Sequence, residues 1–159
     1  MTRNVLILCT GNSARSIIGE AIASSLPDMR GHSAGSSPRG EAHPMALRVL
    51  AAKGHDIWEL SSKSWDVFAE PGAPRMDVII TVCDNAAGET CPYWPGHPVQ
   101  VHWGLPDPAN IEEMSQQRAA FEDTYDRLKR RLTQLAALDF NTLSDRDLKE
   151  AAQAIHDKR

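Results

Sequence analysis

Two stretches of this chain are apolar with almost no alternation, and each ends in cysteine: Val5-Leu-Ile-Leu-Cys9 and Val78-Ile-Ile-Thr-Val-Cys83. A strand with one wet face alternates apolar and polar residues. A continuous run needs cover on both faces, as a strand has inside a parallel sheet flanked by helices. Neither run approaches the roughly 20 residues of a membrane span, and the start Met-Thr-Arg-Asn leads into too short an apolar run for a signal peptide. At 159 residues, with 42% hydrophobic and 24% charged residues, the chain suits one soluble domain with a sizeable core. A net charge of −4 gives no reason to expect nucleic acid or an anionic membrane as partner. Three cysteines, an odd number without an export signal, argue against a disulfide framework and for a cytoplasmic protein with reactive or buried thiols.

Helical patterns alternate with these runs. Ile18, Ile22 and Leu26 recur at i, i+4 and i+8 until Pro27 stops the helix. Pro44 to Lys53 reads as a second helix, with proline in its first turn and Gly54 to cap its end. Gly31 to Gly35 ends a short strand, and residues 60–74 form a loop with one helical turn. Val99, Val101 and Trp103 alternate as a further strand. From Ile111 to Leu138, Met114, Phe121, Tyr125, Leu128, Leu132 and Leu135 mark the apolar face of the longest helix. Ser144 and Asp147 open a last helix reaching about His156. The expected fold is an α/β three-layer sandwich around a mostly parallel, roughly four-stranded sheet, with a main domain over residues 1–140 and a helical extension over 141–159. In such sheets, sites gather at the carboxyl ends of strands, where Cys9, Cys83 and the turn Gly104-Leu-Pro-Asp-Pro108 all fall.

The segment after the first run carries the chemistry. Cys9-Thr10-Gly11-Asn12-Ser13-Ala14-Arg15-Ser16 sets a thiol, five residues, an arginine and a hydroxyl between a strand and a helix. A loop closing onto a helix N-terminus can turn its amides inward as an oxyanion nest, and Arg15 adds a two-pronged fork for a tetrahedral anion. The same positive field favours the Cys9 thiolate, to which Ser16 can donate its hydroxyl proton. A nucleophile beneath a bound oxyanion suits displacement at phosphorus or arsenic. The bland alternative, a buried strand-end cysteine and an ordinary first-turn arginine, is open on spacing alone.

Cys-Thr-Gly-Asn-Ser-x-Arg-Ser near the N-terminus resembles the low-molecular-weight tyrosine phosphatase fold, and most closely its arsenate reductase branch. Ser33-Ala-Gly35, Thr81-Val-Cys-Asp-Asn85, Cys91-Pro92 and His102-Trp-Gly-Leu-Pro-Asp-Pro108 follow in the family's order, so the likeness spans about residues 4–138. The resemblance implies that residues 10–16 bind the oxyanion, that Cys9 attacks arsenate and that Asp107 protonates the leaving oxygen. It further implies that Cys83 attacks Cys9 and that Cys91 then attacks Cys83, with regeneration by an external thiol reductant, thioredoxin or glutaredoxin with glutathione. Phosphate is the expected analogue of the substrate. No bound cofactor and no metal is expected, since Cys83 and Cys91 with His97 and His102 do not have zinc-finger spacing.

Position 14 is Ala where many relatives carry a second loop cysteine, so a disulfide relay has to use Cys83. Ala109-Asn110 after Asp-Pro, where tyrosine phosphatases usually carry an aromatic residue, weigh against the main alternative, a low-molecular-weight protein tyrosine phosphatase. A non-catalytic oxyanion-binding domain is the third reading. The four tryptophans read as core or loop packing, and the Arg127–Arg131 cluster as a solvated helix face.

Overall fold

The computed structural model describes residues 2–83, 94 and 98–157. One sheet contains β1 (Arg3–Cys9), β2 (Met29–Gly35), β3 (Val78–Thr81) and β4 (Val99–His102). The spatial order is β2-β1-β3-β4, and all three pairings are parallel. The chain leaves β1 toward β2 and returns across it to β3, so the winding reverses between β1 and β3. A crevice opens at that point beyond the carboxyl ends of the strands.

β1 is the middle of the core: Val5 through Cys9 are each 3% exposed or less. Val5, Ile7 and Cys9 join Val78, Ile80, Val99 and Val101 in one apolar cluster. Leu6 and Leu8 join Ala34 and Ile79 in the other. Each buried aliphatic side chain of this size contributes about 1.5–3 kcal/mol of transfer free energy, which explains why a run without polar residues is kept here.

The first cluster also contains the apolar faces of α1 (Arg15–Ser25), α2 (Pro44–Ala52), α3 (Met114–Ala136) and α4 (Asp145–Asp157). On the second cluster lie the 3-10 turn Trp65–Phe68, Met76 and Trp94. α1 stops where Leu26 turns extended ahead of Pro27. α2 begins on Pro44, with the His43 ring nitrogen accepting the Met45 amide at 3.0 Å. It is followed by Gly54 in the left-handed region, φ +88°.

α3 starts later than the periodicity from Ile111 suggests. Ile111 is extended, and the Glu113 carboxylate accepts the amides of Ser115 and Gln116 as the cap. Three expectations about single residues fail. Met114, placed on the apolar face, is 65% exposed because it lies at the first turn, ahead of the buried stripe that begins at Phe121. Trp58 is 91% exposed. It sits in a bend whose Asp56 carboxylate accepts the Trp58 amide, which turns the ring away from the core. Arg131 is buried, because its position between Leu128 and Leu135 falls on the apolar stripe.

α4 is opened by the Ser144 hydroxyl, which accepts the Asp147 amide at 3.1 Å, and is held by buried Leu148, Ala152 and Ile155. Its Gln153 side chain accepts the His102 amide at 2.9 Å and donates to the His102 carbonyl at 2.7 Å. Among the described residues, no helix is long and apolar enough to cross a membrane.

Candidate active site

The loop between β1 and α1 wraps the carboxyl end of the sheet. Three backbone bonds lace it to the segment after β2: Ser37 N–H to Thr10 O at 2.9 Å, Arg39 N–H to Gly11 O at 3.0 Å, and His43 N–H to Ser13 O at 2.8 Å. A planar trans peptide sets each N–H opposite the preceding carbonyl. Carbonyls committed to residues 37–43 therefore leave the amides of Gly11, Asn12 and Ala14 facing the other way. Gly35 makes the close approach possible: a Cβ there would lie 2.4 Å from the Thr10 carbonyl. Ala14 is the N-cap of α1 and offers no capping side chain, and no acidic residue lies in the first turn. The positive end of the helix dipole is thus left uncompensated at the loop.

Cys9, Thr10, Gly11, Ser13, Ala14, Arg15 and Asp107 line one cavity of about 430 Å³, with Ser37, Arg39 and Asn110. The arginine is aimed by its partners: Arg15 Nη1 donates to the Leu105 carbonyl at 2.9 Å, and Nη2 lies 3.6 Å from Asp107 Oδ2. Asp107 caps the 3-10 turn Pro108–Asn110, its Oδ1 accepting the Ala109 amide at 3.0 Å. The other carboxyl oxygen is left toward Arg15.

Asn12 and Ser16 lie behind the cavity, both fully buried. Ser16 Oγ is 2.9 Å from Cys9 Sγ. Asn12 takes φ 44°, a left-handed conformation that asparagine tolerates better than most residues. Its Nδ2 donates to Ser16 Oγ at 2.8 Å and to Ser33 Oγ at 3.0 Å, and its Oδ1 accepts the Lys63 amide at 2.8 Å.

Cys83, just past the end of β3, is held against the same loop. The Thr10 amide donates to its sulfur at 3.3 Å, and Thr10 Oγ1 is 3.4 Å from it. The structure therefore brings Cys9, Arg15, Cys83 and Asp107 to one end of the sheet, whereas Cys91 lies outside the described residues. Among the described residues no group of three or more His, Cys, Asp or Glu side chains could hold a metal ion.

Two contributors escaped the sequence reading. Arg39 brings a second guanidinium to the cavity, its stem packed over Gly11 with Nε 3.1 Å from where a Cβ would stand. Lys63 ties the asparagine from behind. Neither belongs to the loop motif. The signal in each case is a polar residue in a loop, Arg39 after β2 and Lys63 after α2, which is too common to single one out.

Residues 4–152 match the model of a family described as low molecular weight phosphotyrosine protein phosphatase. An arsenate reductase of Bacillus licheniformis is 34% identical over 121 residues, covering 75% of this chain and 84% of the relative. Among solved structures, an arsenate reductase from Archaeoglobus fulgidus superposes with a TM-score of 0.61 at 25% identity, covering 81% of this chain and 98% of that one. A thioredoxin-dependent arsenate reductase of Corynebacterium glutamicum gives 0.56 at 26% identity, covering 80% of this chain and 59% of that one.

Proposed function

Because the chain belongs to the low molecular weight phosphotyrosine protein phosphatase family, we propose that it is an arsenate reductase of that family, converting arsenate to arsenite through its own cysteines. The relatives named arsenate reductase support the reaction. The observation that carries the relay is the placement of Cys83 sulfur against Thr10, the residue next to Cys9. Phosphate ester hydrolysis needs one thiolate, an arginine and an acid, and gives a second sulfur at that loop nothing to do.

In the proposed sequence the loop amides and Arg15 hold the arsenate oxygens, and the Cys9 thiolate attacks arsenic. A sulfur–arsenic bond forms, and one oxygen leaves as water after Asp107 supplies a proton. Cys83 then attacks the Cys9 sulfur. The Cys9–Cys83 disulfide forms, and the sulfur–arsenic electron pair stays with arsenic, which leaves as arsenite at the lower oxidation state. The two thiols have supplied two electrons. Cys91 attacks Cys83, frees Cys9 and carries the disulfide onward to an external thiol reductant. The name of the Corynebacterium relative favours thioredoxin over glutaredoxin with glutathione. A reaction drawing on thiols fits a cytoplasmic protein, where cysteines stay reduced.

Mass spectrometry of disulfides after arsenate turnover tests the relay. A Cys83–Cys91 bond in the wild type and a trapped Cys9–Cys83 bond in Cys91→Ser are expected. Arsenite formation with no disulfide in either protein would overturn it. A phosphatase is the second reading, favoured by the loop, Arg15 and Asp107 alone. It predicts fast aryl phosphate turnover that survives loss of both Cys83 and Cys91.

A further inference from the structure

Behind the cavity, a line of hydrogen bonds runs from an ion pair to the nucleophile. Lys63 Nζ lies 3.6 Å from Glu20 Oε1, with both side chains largely covered, 24% and 16% exposed. The ammonium group also donates to the carbonyls of Ser33 at 3.1 Å and Ser61 at 2.6 Å. Ser33 Oγ donates to Glu20 Oε1 at 2.5 Å, and it accepts from Asn12 Nδ2, which also donates to Ser16 Oγ beside Cys9.

Each link has one direction only while Glu20 is a carboxylate. A carboxylate accepts and cannot donate, so the single Ser33 proton is spent on it and Ser33 must accept from Asn12. The Lys63 amide, which needs an acceptor, holds Asn12 Oδ1 on its own side, so both Nδ2 protons go to Ser33 and Ser16. Ser16, already accepting from Asn12, has its one proton left for the Cys9 sulfur. A protonated Glu20 reverses the first link. Its hydroxyl would donate to Ser33, the Ser33 proton would compete with Asn12 Nδ2, and a flipped Asn12 would draw the Ser16 proton away from sulfur.

We propose that Lys63 is a positioning residue for the nucleophile: by keeping Glu20 a carboxylate it sets the direction of the Glu20–Ser33–Asn12–Ser16 chain and so holds the Ser16 proton on Cys9. The role rests on Cys9 being the attacking thiolate of the proposed reaction. The surroundings give Lys63 work to do. Burial pushes the Glu20 carboxyl above its ordinary range, and Glu59 reinforces this, whereas the Ser33 hydrogen bond and Lys63 oppose it. Among the described residues Lys63 is the cation paired with Glu20, while the cavity on the other side of Glu20 is lined by His55, Asp56 and Glu59.

The test is the pH profile of Cys9 alkylation by a short iodoacetamide pulse, read on the Cys9 peptide by mass spectrometry. Lys63→Met should raise the midpoint by about one pH unit, a roughly tenfold slower reaction at pH values well below both midpoints. Lys63→Arg should keep the wild-type midpoint. Glu20→Gln, whose amide can face Ser33 either way, should give an intermediate shift, and it replaces Lys63→Met if that variant fails to fold. A midpoint unchanged in folded Lys63→Met, or in Glu20→Gln where only that variant folds, would overturn the proposal. An equal shift in Lys63→Arg would also do so, because it would show that packing rather than charge matters. No arsenate enters the measurement, so a protein inactive on arsenate still answers it.

Discussion

The backbone nitrogen of Thr10 lies 3.3 Å from the sulfur of Cys83, so the loop that carries Cys9 also carries a donor to Cys83. A thiolate at Cys83 gains a hydrogen bond there without any movement of β3. On this arrangement, Cys83→Ser should lower multiple-turnover arsenate reduction at least a hundredfold while leaving slow hydrolysis of p-nitrophenyl phosphate within about threefold of wild type, since a single thiolate suffices for an ester. Coupled reductase assays and absorbance of the released phenol read the two arms. Equal loss in both would show that Cys83 acts through the loop's shape.

Ser16 reaches Cys9 from behind the cavity and is not itself among the lining residues. Ser16→Ala should therefore slow Cys9 alkylation at pH 7 about tenfold, the cost of one hydrogen bond to an ionised sulfur. Binding of phosphate, followed by calorimetry, should stay within about threefold, because the amides and Arg15 are unaltered.

Asp107 is held by the Ala109 amide on one oxygen and lies beside Arg15 on the other. Asp107→Asn keeps the cap and removes the proposed proton source. The expected loss is about a hundredfold or more in single-turnover formation of the arsenic adduct, with little change in phosphate affinity. A variant that binds phosphate much more tightly but reacts at the wild-type rate would assign the carboxylate to charge repulsion alone.

Arg39 stands at the cavity without a place in the loop motif. Arg39→Met should raise KM for arsenate about tenfold and change kcat by less than about twofold, the pattern of a charge that gathers the anion before chemistry. Steady-state kinetics at two ionic strengths check it, since the effect should shrink as salt rises.

His32 bears on pH and stability. Burial, with Arg30 and Lys63 nearby, lowers its pKa from 6.5 to about 4. Its ring lies edge-on to Phe68, and Nε2 is 3.1 Å from Asn4 Oδ1. The unfolded chain takes up a proton near pH 6.5 and the folded one does not until about pH 4, so acid favours unfolding across that window. No penalty exists above it, and the full penalty, on the order of 3 kcal/mol, is reached below about pH 4. Urea midpoints should fall more steeply from pH 7 to pH 4.5 in the wild type than in His32→Gln. Parallel slopes would assign the acid sensitivity to other groups.

The unbroken runs at Val5–Cys9 and Val78–Cys83 made the buried parallel strands legible, because total burial removes the alternation that a half-exposed strand shows. The meeting of Cys9, Arg15 and Asp107 at one cavity was legible for a similar reason: each follows closely on a strand, and the carboxyl ends of parallel strands share one edge of the sheet. The line from Lys63 to Ser16 was not. It joins a loop, a helix, a strand and a turn that are far apart in sequence, and serine, asparagine and lysine in loops are ordinary one at a time. Trp58 and Arg131 went the opposite way from expectation because residue type sets a tendency, whereas a local bend or a position on a helix face decides exposure.

The Gln153 side chain meets His102 as a neighbouring strand would, giving and taking one hydrogen bond with the backbone of β4. An outer strand with open N–H and C=O groups is a template on which another chain can polymerise. The last helix thus supplies a plug for that template as well as apolar cover. Shortening the chain before Asp145 would do more than cost packing energy, because it would uncover an adhesive edge and turn a monomer problem into one of aggregation.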